Sequence, residues 1–487
     1  MKNVFEVADA RQKQAKKRSL CLINEHFESV FNTAAATQIV FQRPVNCPDL
    51  TVHTMPATSK KPDPATRRER FAWCMYDFAN SGYTTVILTA IFNAYFVGVV
   101  AAESGNGHAT LLWTLTMACA NALVLLSAPV VGAIADYSGA KKRFLVVTTV
   151  GCVLFTALLS LVGPGDIILA VILVILATFM FASGENLIAA FLPEISSPET
   201  MGRLSGYGWA LGYLGGLLSL VLCLAYVTYA ENKGLDAAHY VPVSTLIVAA
   251  LFGIAALPTL LWLRERSGIS NSIQNAHVIR KGFERLRITL RYASRHTDLF
   301  RFLIALTTYY SGIHIVIVLA AVYAQEVMGF KTQDTIILIM VVNVTAAIGA
   351  FLFGHLQDRI GSSRCIAITL LIWIAAIICA YFATDESLFW IAANLIGTAL
   401  GGAQSAGRAL VGQFTPPGRQ GEFFGLWGLA TKLSAIIGPL TYGGLIVIFE
   451  GDHRIAILST LVFFIFGLVL LATVNEKRGR EMAKIEY

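Results

Sequence analysis

The sequence predicts an all-α membrane protein in which twelve transmembrane helices form two pseudo-symmetric six-helix bundles. Three observations predict this class: the bulk composition, the number of apolar segments and a loop motif that occurs twice. Apolar residues make up 56% of the 487 residues and charged residues only 14%, with a mean hydropathy of +0.64. Because a soluble domain carries about 25% charged residues, much of this surface must face lipid.

Apolar segments of about 20 residues, the length that crosses a bilayer as a helix, occur twelve times. Six precede and six follow the longest internal polar segment, which predicts two bundles joined by a linker. The expected spans are 73–99, 110–134, 143–162, 167–191, 204–229, 241–263, 299–323, 334–356, 365–382, 387–411, 424–449 and 455–474.

Polar segments complete the expected organisation of the chain. The linker is basic and carries apolar residues at helical spacing, so we expect an amphipathic helix on the cytoplasmic leaflet there. A tail-like stretch begins at Met55, which suggests the hypothesis that translation starts there. The expected units are a mobile cytoplasmic extension at 1–70, bundles at 71–263 and 299–475, the linker at 264–298 and a cytoplasmic tail at 476–487.

The positive charges predict how the chain crosses the membrane. With a cytoplasmic N-terminus, the cytoplasmic loops and tail from Lys60 onward hold 25 lysines and arginines, and the opposite loops hold three. This imbalance follows the positive-inside rule and predicts two cytoplasmic termini. It also explains the net charge of +7 without a nucleic-acid partner. We expect a multi-pass protein of the cell (inner) membrane.

A basic loop motif closes the second span and recurs after the eighth. The two aspartates, Asp136 and Asp358, are 222 residues apart, which is close to half of the chain and indicates an internal duplication. The first copy consists of Gly132, Asp136, Gly139, Lys141, Lys142 and Arg143, and the second consists of Gly354, Asp358, Arg359, Gly361 and Arg364.

A second repeat precedes the fifth and eleventh spans. The segment that begins at Gly202 is echoed by the segment that begins at Gly421, at an offset of 219 residues. Glycines in both copies let helix backbones approach closely. We therefore expect the fifth and eleventh helices to form the interface between the two halves.

The loop motif after the second of twelve spans resembles that of the major facilitator superfamily. Within the superfamily, the opening Trp73-Cys-Met-Tyr-Asp-Phe-Ala-Asn-Ser-Gly-Tyr83 and the segments Leu192-Pro-Glu-Ile195 and Tyr207-Gly-Trp-Ala-Leu-Gly-Tyr213 resemble the vacuolar amino-acid-effluxer-like branch. The resemblance covers about residues 70–475. It implies alternating access and solute transport, with amino-acid export as the branch's best-known activity and the vacuolar membrane as the alternative location.

The duplicated loops are candidate conformational latches. Asp136 can lie at the N-terminus of a neighbouring helix, whose dipole favours negative charge, and Lys141 or Arg143 can pair with acidic groups nearby. Such a cluster would hold the cytoplasmic side closed. The alternative is that the positive charges only anchor the topology. The candidate latch residues are Gly132, Asp136, Gly139, Lys141, Arg143, Asp358, Arg359, Gly361 and Arg364.

Ionisable residues inside spans are the candidates for solute binding or gating, because each costs roughly 2.5–3.5 kcal/mol on insertion. Lys432 is a candidate counter-ion for a substrate carboxylate, or else belongs to a structural ion pair. Glu185 and Asn186 lie in the cytoplasmic half of the fourth span, and Arg408 lies near the cytoplasmic end of the tenth at the pseudo-equivalent depth. The resemblance implies that these two helices line the cavity, so Glu185 and Arg408 can form a gate between the halves, bind the two ends of a zwitterion or be a static pair. Glu185 can also pair with Lys432, and it is a candidate proton carrier.

Other polar residues in the first and seventh spans complete the candidate set. His314, beside Tyr309 and Tyr310, is either a hydrogen-bonded core residue or a solute or proton contact. Asp77 either caps the first helix or meets nearby arginines. Asn80 and Tyr83 follow on the same helix, and small polar residues of this kind often join helices without touching a substrate.

No motif in the sequence indicates an enzyme, a cofactor or a metal centre. There is no phosphate-binding Gly-x-x-x-x-Gly-Lys-Ser/Thr loop and no clustered metal-ligand spacing. The expected partners are a small polar solute, protons and the lipid bilayer, and the expected state is a monomer. Two alternatives stay open: a sugar, nucleoside or drug as solute, and a non-transporting receptor or scaffold, in which Lys432, His314 and Glu185 would lie apart.

Overall fold

The computed structural model describes residues 65–104, 106–266, 287, 296–330, 332–448 and 453–484. Within these ranges the fold is all-helical, with twelve long helices, a single helical turn at Leu192–Ile195 and a short C-terminal helix. Most of the expected N-terminal extension, including Met55, and most of the expected linker helix lie outside the described residues. The helices are α1 Arg67–Val100, α2 Asn106–Ser138, α3 Lys141–Leu158, α4 Ile167–Ala189, α5 Met201–Glu231, α6 Ala237–Trp262, α7 Thr297–Glu326, α8 Thr332–Ile360, α9 Ser362–Phe382, α10 Glu386–Gln413, α11 Gln420–Ile448, α12 Arg454–Ala472 and α13 Glu476–Met482.

Local sequence explains several helix boundaries. Thr66 and Glu69 form a capping box at the start of α1, in which the Thr66 hydroxyl accepts from the Glu69 amide at 3.2 Å. Asp385 caps α10 in the same manner by accepting from the Leu388 amide at 2.9 Å. α1 is not uniform, because Tyr83–Ala90 and Phe96–Val100 adopt π-helical turns.

Eleven of the long helices in the described ranges are apolar and long enough to cross a membrane. The twelfth, α10, has 28 residues but is less apolar, since it carries Asn394, Gln404 and Arg408 within its length. Its bounds match the predicted span 387–411. The twelve-helix fold class predicted from the sequence is therefore confirmed.

The outer face of the bundle is apolar, and the buried core has two parts. Leu126 is 76% exposed, Ile168 77% and Leu440 69%, which fits a surface that meets lipid tails. One hydrophobic cluster extends from Trp73 to Leu263 and also takes in Ala409, and a second extends from Leu299 to Val474 and also takes in Ala189 and Ala190. Each half of the chain thus has its own core.

The two halves meet where α2 packs against α11 and α5 packs against α8. Glycines make both crossings possible. A Cβ atom on Gly132 would collide with the Gly421 carbonyl, and one on Gly206 would lie 2.5 Å from the Ala350 carbonyl oxygen. These crossings lie at the end of the bundle that holds Asp136 and Asp358, which we call the motif end.

Candidate functional site

Asp136 lies at the N-terminus of α11, which belongs to the opposite half. Its two carboxylate oxygens accept hydrogen bonds from the backbone amides of Gly421 and Glu422, each at 2.9 Å. These amides belong to the first turn of α11 and have no partner within the helix. The carboxylate therefore completes the helix terminus and interacts favourably with its dipole.

Lys141 ties this aspartate to the rest of the motif end. Its side chain is fully buried, and its ammonium lies 3.6 Å from Asp136, forms an ion pair with Glu194 and lies 3.4 Å from Gln420 Oε1. A buried ammonium must be paired to be tolerated, and the two carboxylates meet that need. Of the two basic residues considered as partners, Lys141 takes this role and Arg143 is exposed.

The second copy of the motif repeats the arrangement on the other side. Asp358 accepts from the backbone amide of Arg203, in the first turn of α5, at 3.2 and 3.3 Å. The Arg203 side chain also lies 3.9 Å from this carboxylate. Arg359 and Arg364 are exposed. Each half thus places an aspartate on a helix start of the other half.

The motif glycines have two different structural roles. Gly139 and Gly361 turn the chain between α2 and α3 and between α8 and α9 with φ angles of 57° and 93°, a region that residues with a Cβ rarely adopt. Gly132 instead allows the backbone contact between α2 and α11.

Acidic residues that follow the last helix of each half cap a helix start within the same half. Glu265 accepts from the amides of Lys141 and Lys142 at 2.9 and 3.2 Å, at the start of α3. Glu476 of α13 accepts from the amides of Ser362 and Ser363 at 3.2 and 2.9 Å, at the start of α9.

An arginine next to each of these glutamates anchors the first helix of its half. Arg266 donates to both oxygens of Glu69 at 2.9 and 2.8 Å, and Arg478 donates to both oxygens of Asp298 at 2.6 and 2.7 Å. Hydrogen bonding to Asp298 raises the pKa of Arg478 above its usual value. At the motif end, the two halves therefore use the same two contacts, a glutamate that caps a helix start and an arginine that anchors the first helix.

Deeper in the bundle, Arg408 of α10 pairs with Asp77 of α1 at 2.7 Å. Arg408 also donates to the hydroxyl and the carbonyl of Ser205 at 3.1 and 3.0 Å. Its guanidinium lies 4.6 Å from the centre of the Trp73 ring and 5.2 Å from that of Trp209. The pair joins the two halves and is almost fully enclosed.

Glu185 of α4 lies 3.9 Å from Lys432 of α11, so the structure pairs Glu185 with Lys432 and leaves Arg408 to Asp77. The Glu185 and Lys432 side chains are 27% and 17% exposed, against 9% and 3% for Asp77 and Arg408. This second cross-half pair is therefore the less enclosed of the two.

His314, Tyr309 and Tyr310 lie on α7 close to these charges. His314 interacts electrostatically with Lys432, and Tyr310 with Glu185 and Arg408. The rings of Tyr309 and Tyr310 have centroids 5.2 Å apart, and the ring of Tyr310 lies 6.1 Å from that of His314. Lys432, His314 and Glu185 thus lie together, which favours a transporter over the scaffold alternative.

The remaining predicted residues lie in helix contacts. Tyr83 is fully buried and hydrogen-bonds Thr178 of α4 at 2.9 Å, so it joins two helices of the first half. Asn80 is buried on the same helix. Asn186 lies against Gly428 of α11, where a side chain at position 428 would meet its amide.

Several residues at the site carry no assignment in the sequence analysis. Ser205, Trp209 and Glu194 contact Arg408 or Lys141, and only the motif-like segments that contain them hinted at a role. The hydroxyl of Tyr213 donates to Gln404 Oε1 across the two halves. Neither Tyr213 nor Gln404 is charged at neutral pH, so a search for charged groups inside spans does not find them.

Comparison with known proteins agrees with this architecture. The protein-family model described as "Vacuole effluxer Atg22 like" matches residues 65–484. An uncharacterized MFS-type transporter, YxiO of Bacillus subtilis, is 28% identical over 86% of this chain and 97% of its own length. Autophagy-related protein 22 of Yarrowia lipolytica is 26% identical over 62% of this chain, which spans 56% of that longer protein.

Solved structures of low sequence identity share the fold. The human organic anion transporter MFSD10 (TETRAN) superposes with a TM-score of 0.65 at 14% identity, covering 83% of this chain and 99% of that one. The MFS proton:xylose symporter XylE gives a TM-score of 0.62 at 14% identity, covering 86% and 97%. With its family match across almost all of the described residues, the chain belongs to the Atg22-like vacuole effluxer family of the major facilitator superfamily and is an MFS-type transporter.

Proposed function

We propose that this transporter moves a small zwitterionic solute, an amino acid, by secondary active transport with alternating access. The observation that carries the proposal is the cross-half pair of Glu185 and Lys432, opposite charges 3.9 Å apart that stay partly exposed inside the bundle. Charges at this depth are costly, and a zwitterion is the solute whose two ends match both of them.

The binding step follows from the geometry of the pair. At 3.9 Å the charges are beyond a direct hydrogen bond, so a solute that inserts between them breaks no direct hydrogen bond and replaces one ion pair with two. Its carboxylate would bind the Lys432 ammonium and its ammonium the Glu185 carboxylate. A sugar or nucleoside would leave both charges without a matching group, which disfavours these alternative solutes.

Alternating access would be controlled at the motif end. The contacts of Asp136 and Asp358 each join one half to a helix start of the other half. Breaking both would let the halves rock apart at this end. We place the motif end in the cytoplasm from the positive-charge distribution, so the structure would correspond to a state closed toward the cytoplasm.

The coupling ion and the membrane are also proposed. Glu185 and His314 lie beside Lys432, and a proton carried by either would change the charge of the site, so we propose proton coupling. We propose the cell (inner) membrane as the location. The family description "Vacuole effluxer" supports the vacuolar membrane as the alternative.

Counterflow in proteoliposomes tests the proposal. Vesicles loaded with an unlabelled amino acid should accumulate the same labelled amino acid, and Lys432→Ala should reduce this exchange about tenfold or more, because a charged hydrogen bond to the carboxylate is lost. Lys477→Ala, on an exposed part of α13, is the matched control and should exchange normally. Accumulation equal to that of protein-free vesicles for every amino acid would reject the proposal.

Proton coupling has its own readout in the same vesicles. An imposed pH gradient should drive uptake of the labelled amino acid above the level without a gradient, and a protonophore should abolish the difference. Equal uptake with and without the gradient would remove proton coupling and leave the solute assignment in place.

A further inference from the structure

One position on α4 and one on α10 interrupt long buried segments. Between Phe181 and Leu192 every residue is buried except Glu185, and between Ala399 and Pro416 every residue is buried except Gln404. Both exceptions are long polar side chains in the C-terminal half of their helices. Each of these helices packs against a helix of the opposite half, α4 against α11 and α10 against α5.

The internal duplication relates these positions and their partners. Gln404 follows Glu185 by 219 residues, and Lys432 follows Tyr213 by the same 219, the offset that also relates Gly202 to Gly421. Glu185 pairs with Lys432 from α4 to α11, and Gln404 pairs with Tyr213 from α10 to α5. Two pseudo-symmetric bridges thus join the two halves, one charged and one neutral.

The surroundings of the neutral bridge are rich in uncharged hydrogen-bonding groups. In the described part of the chain, the Tyr309 and Tyr310 hydroxyls and the Trp209 indole N–H have no hydrogen-bond partner. Both tyrosine hydroxyls lie near Gly407, one turn from Gln404, and Trp209 lies 6.0 Å from Tyr213, centroid to centroid. Buried groups without partners are costly, and a polar solute side chain would satisfy them.

We propose that Tyr213 and Gln404 form the side-chain subsite of the transporter and select amino acids with a neutral polar side chain. The inference rests on the proposed function, in which Glu185 and Lys432 hold the two charged ends of the solute. The other cross-half ion pair, Asp77 with Arg408, is enclosed and already matched. A solute with a charged side chain would find no counter-charge at the neutral bridge, and an apolar one would leave its amide and hydroxyl groups unpaired.

A change of selectivity is the sharpest test. In counterflow with labelled glutamine, leucine and lysine, the wild-type protein should favour glutamine. Gln404→Glu adds a carboxylate where the solute side chain lies, so the ratio of lysine to glutamine exchange should rise about tenfold or more, as expected for a hydrogen bond to a charged group. Asn232→Asp, which adds the same charge in an exposed loop, should leave the ratio unchanged.

Tyr213→Phe keeps the ring and removes only the hydroxyl, so it tests the subsite even if Gln404→Glu fails to fold. The KM for glutamine should rise about threefold to tenfold, the effect of one hydrogen bond, with the maximal exchange rate retained, and Tyr229→Phe on the exposed surface should behave as wild type. An unchanged KM in Tyr213→Phe, an unchanged lysine-to-glutamine ratio in folded Gln404→Glu, or a wild-type preference for leucine would overturn the inference. Absence of exchange for every amino acid would instead reject the proposed function.

Discussion

At the scale of single residues, two ion pairs inside the described part of the bundle join the two halves. Asp77 with Arg408 and Glu185 with Lys432 each take one member from each half. Removing one partner of an enclosed pair leaves an uncompensated charge, which costs about 3–5 kcal/mol. The Asp77–Arg408 pair is shielded, which suits a contact that keeps the two halves together. The Glu185–Lys432 pair is partly exposed, which suits a contact that a solute can replace.

The Asp136 carboxylate gives the first prediction at this scale. Asp136→Asn keeps the shape of the side chain but removes the charge that faces the α11 terminus and Lys141, so we expect counterflow to be lost while insertion stays normal. Asp358→Asn should have a smaller effect, because the Asp358 side chain is 14% exposed and that of Asp136 is fully buried.

Arg143→Gln is the control for this comparison, since Arg143 belongs to the same loop but is exposed. If the positive charges of the loop only anchor the topology, Arg143→Gln and Asp136→Asn should be equally mild. Normal transport by Asp136→Asn would reject the latch.

At the scale of secondary-structure elements, short segments after α6 and α12 stabilise the motif end of each half. Glu265 caps α3 and Glu476 caps α9, while Arg266 and Arg478 anchor the starts of α1 and α7. α13 is therefore tied to the second half by its own contacts, and the assignment of residues 476–487 to a cytoplasmic tail stays a prediction.

The caps predict a matched loss of stability. Glu265→Gln and Glu476→Gln should each lower the free energy of unfolding by about 1 kcal/mol, the usual value of a helix N-terminal cap. Thermal unfolding of the purified protein in detergent measures this. Glu481→Gln, on the exposed face of α13, should leave the melting temperature unchanged, and an equal melting temperature in all three variants would contradict the capping role.

At the scale of the whole molecule, two cores with equivalent contacts face each other across glycine-rich crossings. α5 and α11 lie at the interface, as the second repeat predicts, and their partners are α8 and α2. The contacts described here gather at the motif end, so one end of the bundle is held closed by side chains that a rocking motion would separate.

Membrane orientation is testable on the intact protein. In a cysteine-free background, Ser197→Cys reports on the α4–α5 loop at the motif end, and Lys233→Cys reports on the opposite loop. A membrane-impermeant thiol reagent should label Lys233→Cys in intact cells and Ser197→Cys only after permeabilisation. The reverse pattern would place the motif end outside and would contradict the proposed cytoplasmic latch.

The sequence by itself determined the number of spans, the duplication and the position of the two motif loops. Each is a local property: a long apolar run inserts as a helix whatever surrounds it, and a repeat is visible as a fixed offset. Only the tertiary structure decided the partners, namely Arg408 with Asp77, Glu185 with Lys432 and Tyr213 with Gln404. The reason is physical. A helix that is apolar on all sides has no polar face from which its rotation about its own axis could be predicted. Side chains on different halves meet only once the rotation of each helix and the angle at which the helices cross are fixed by packing.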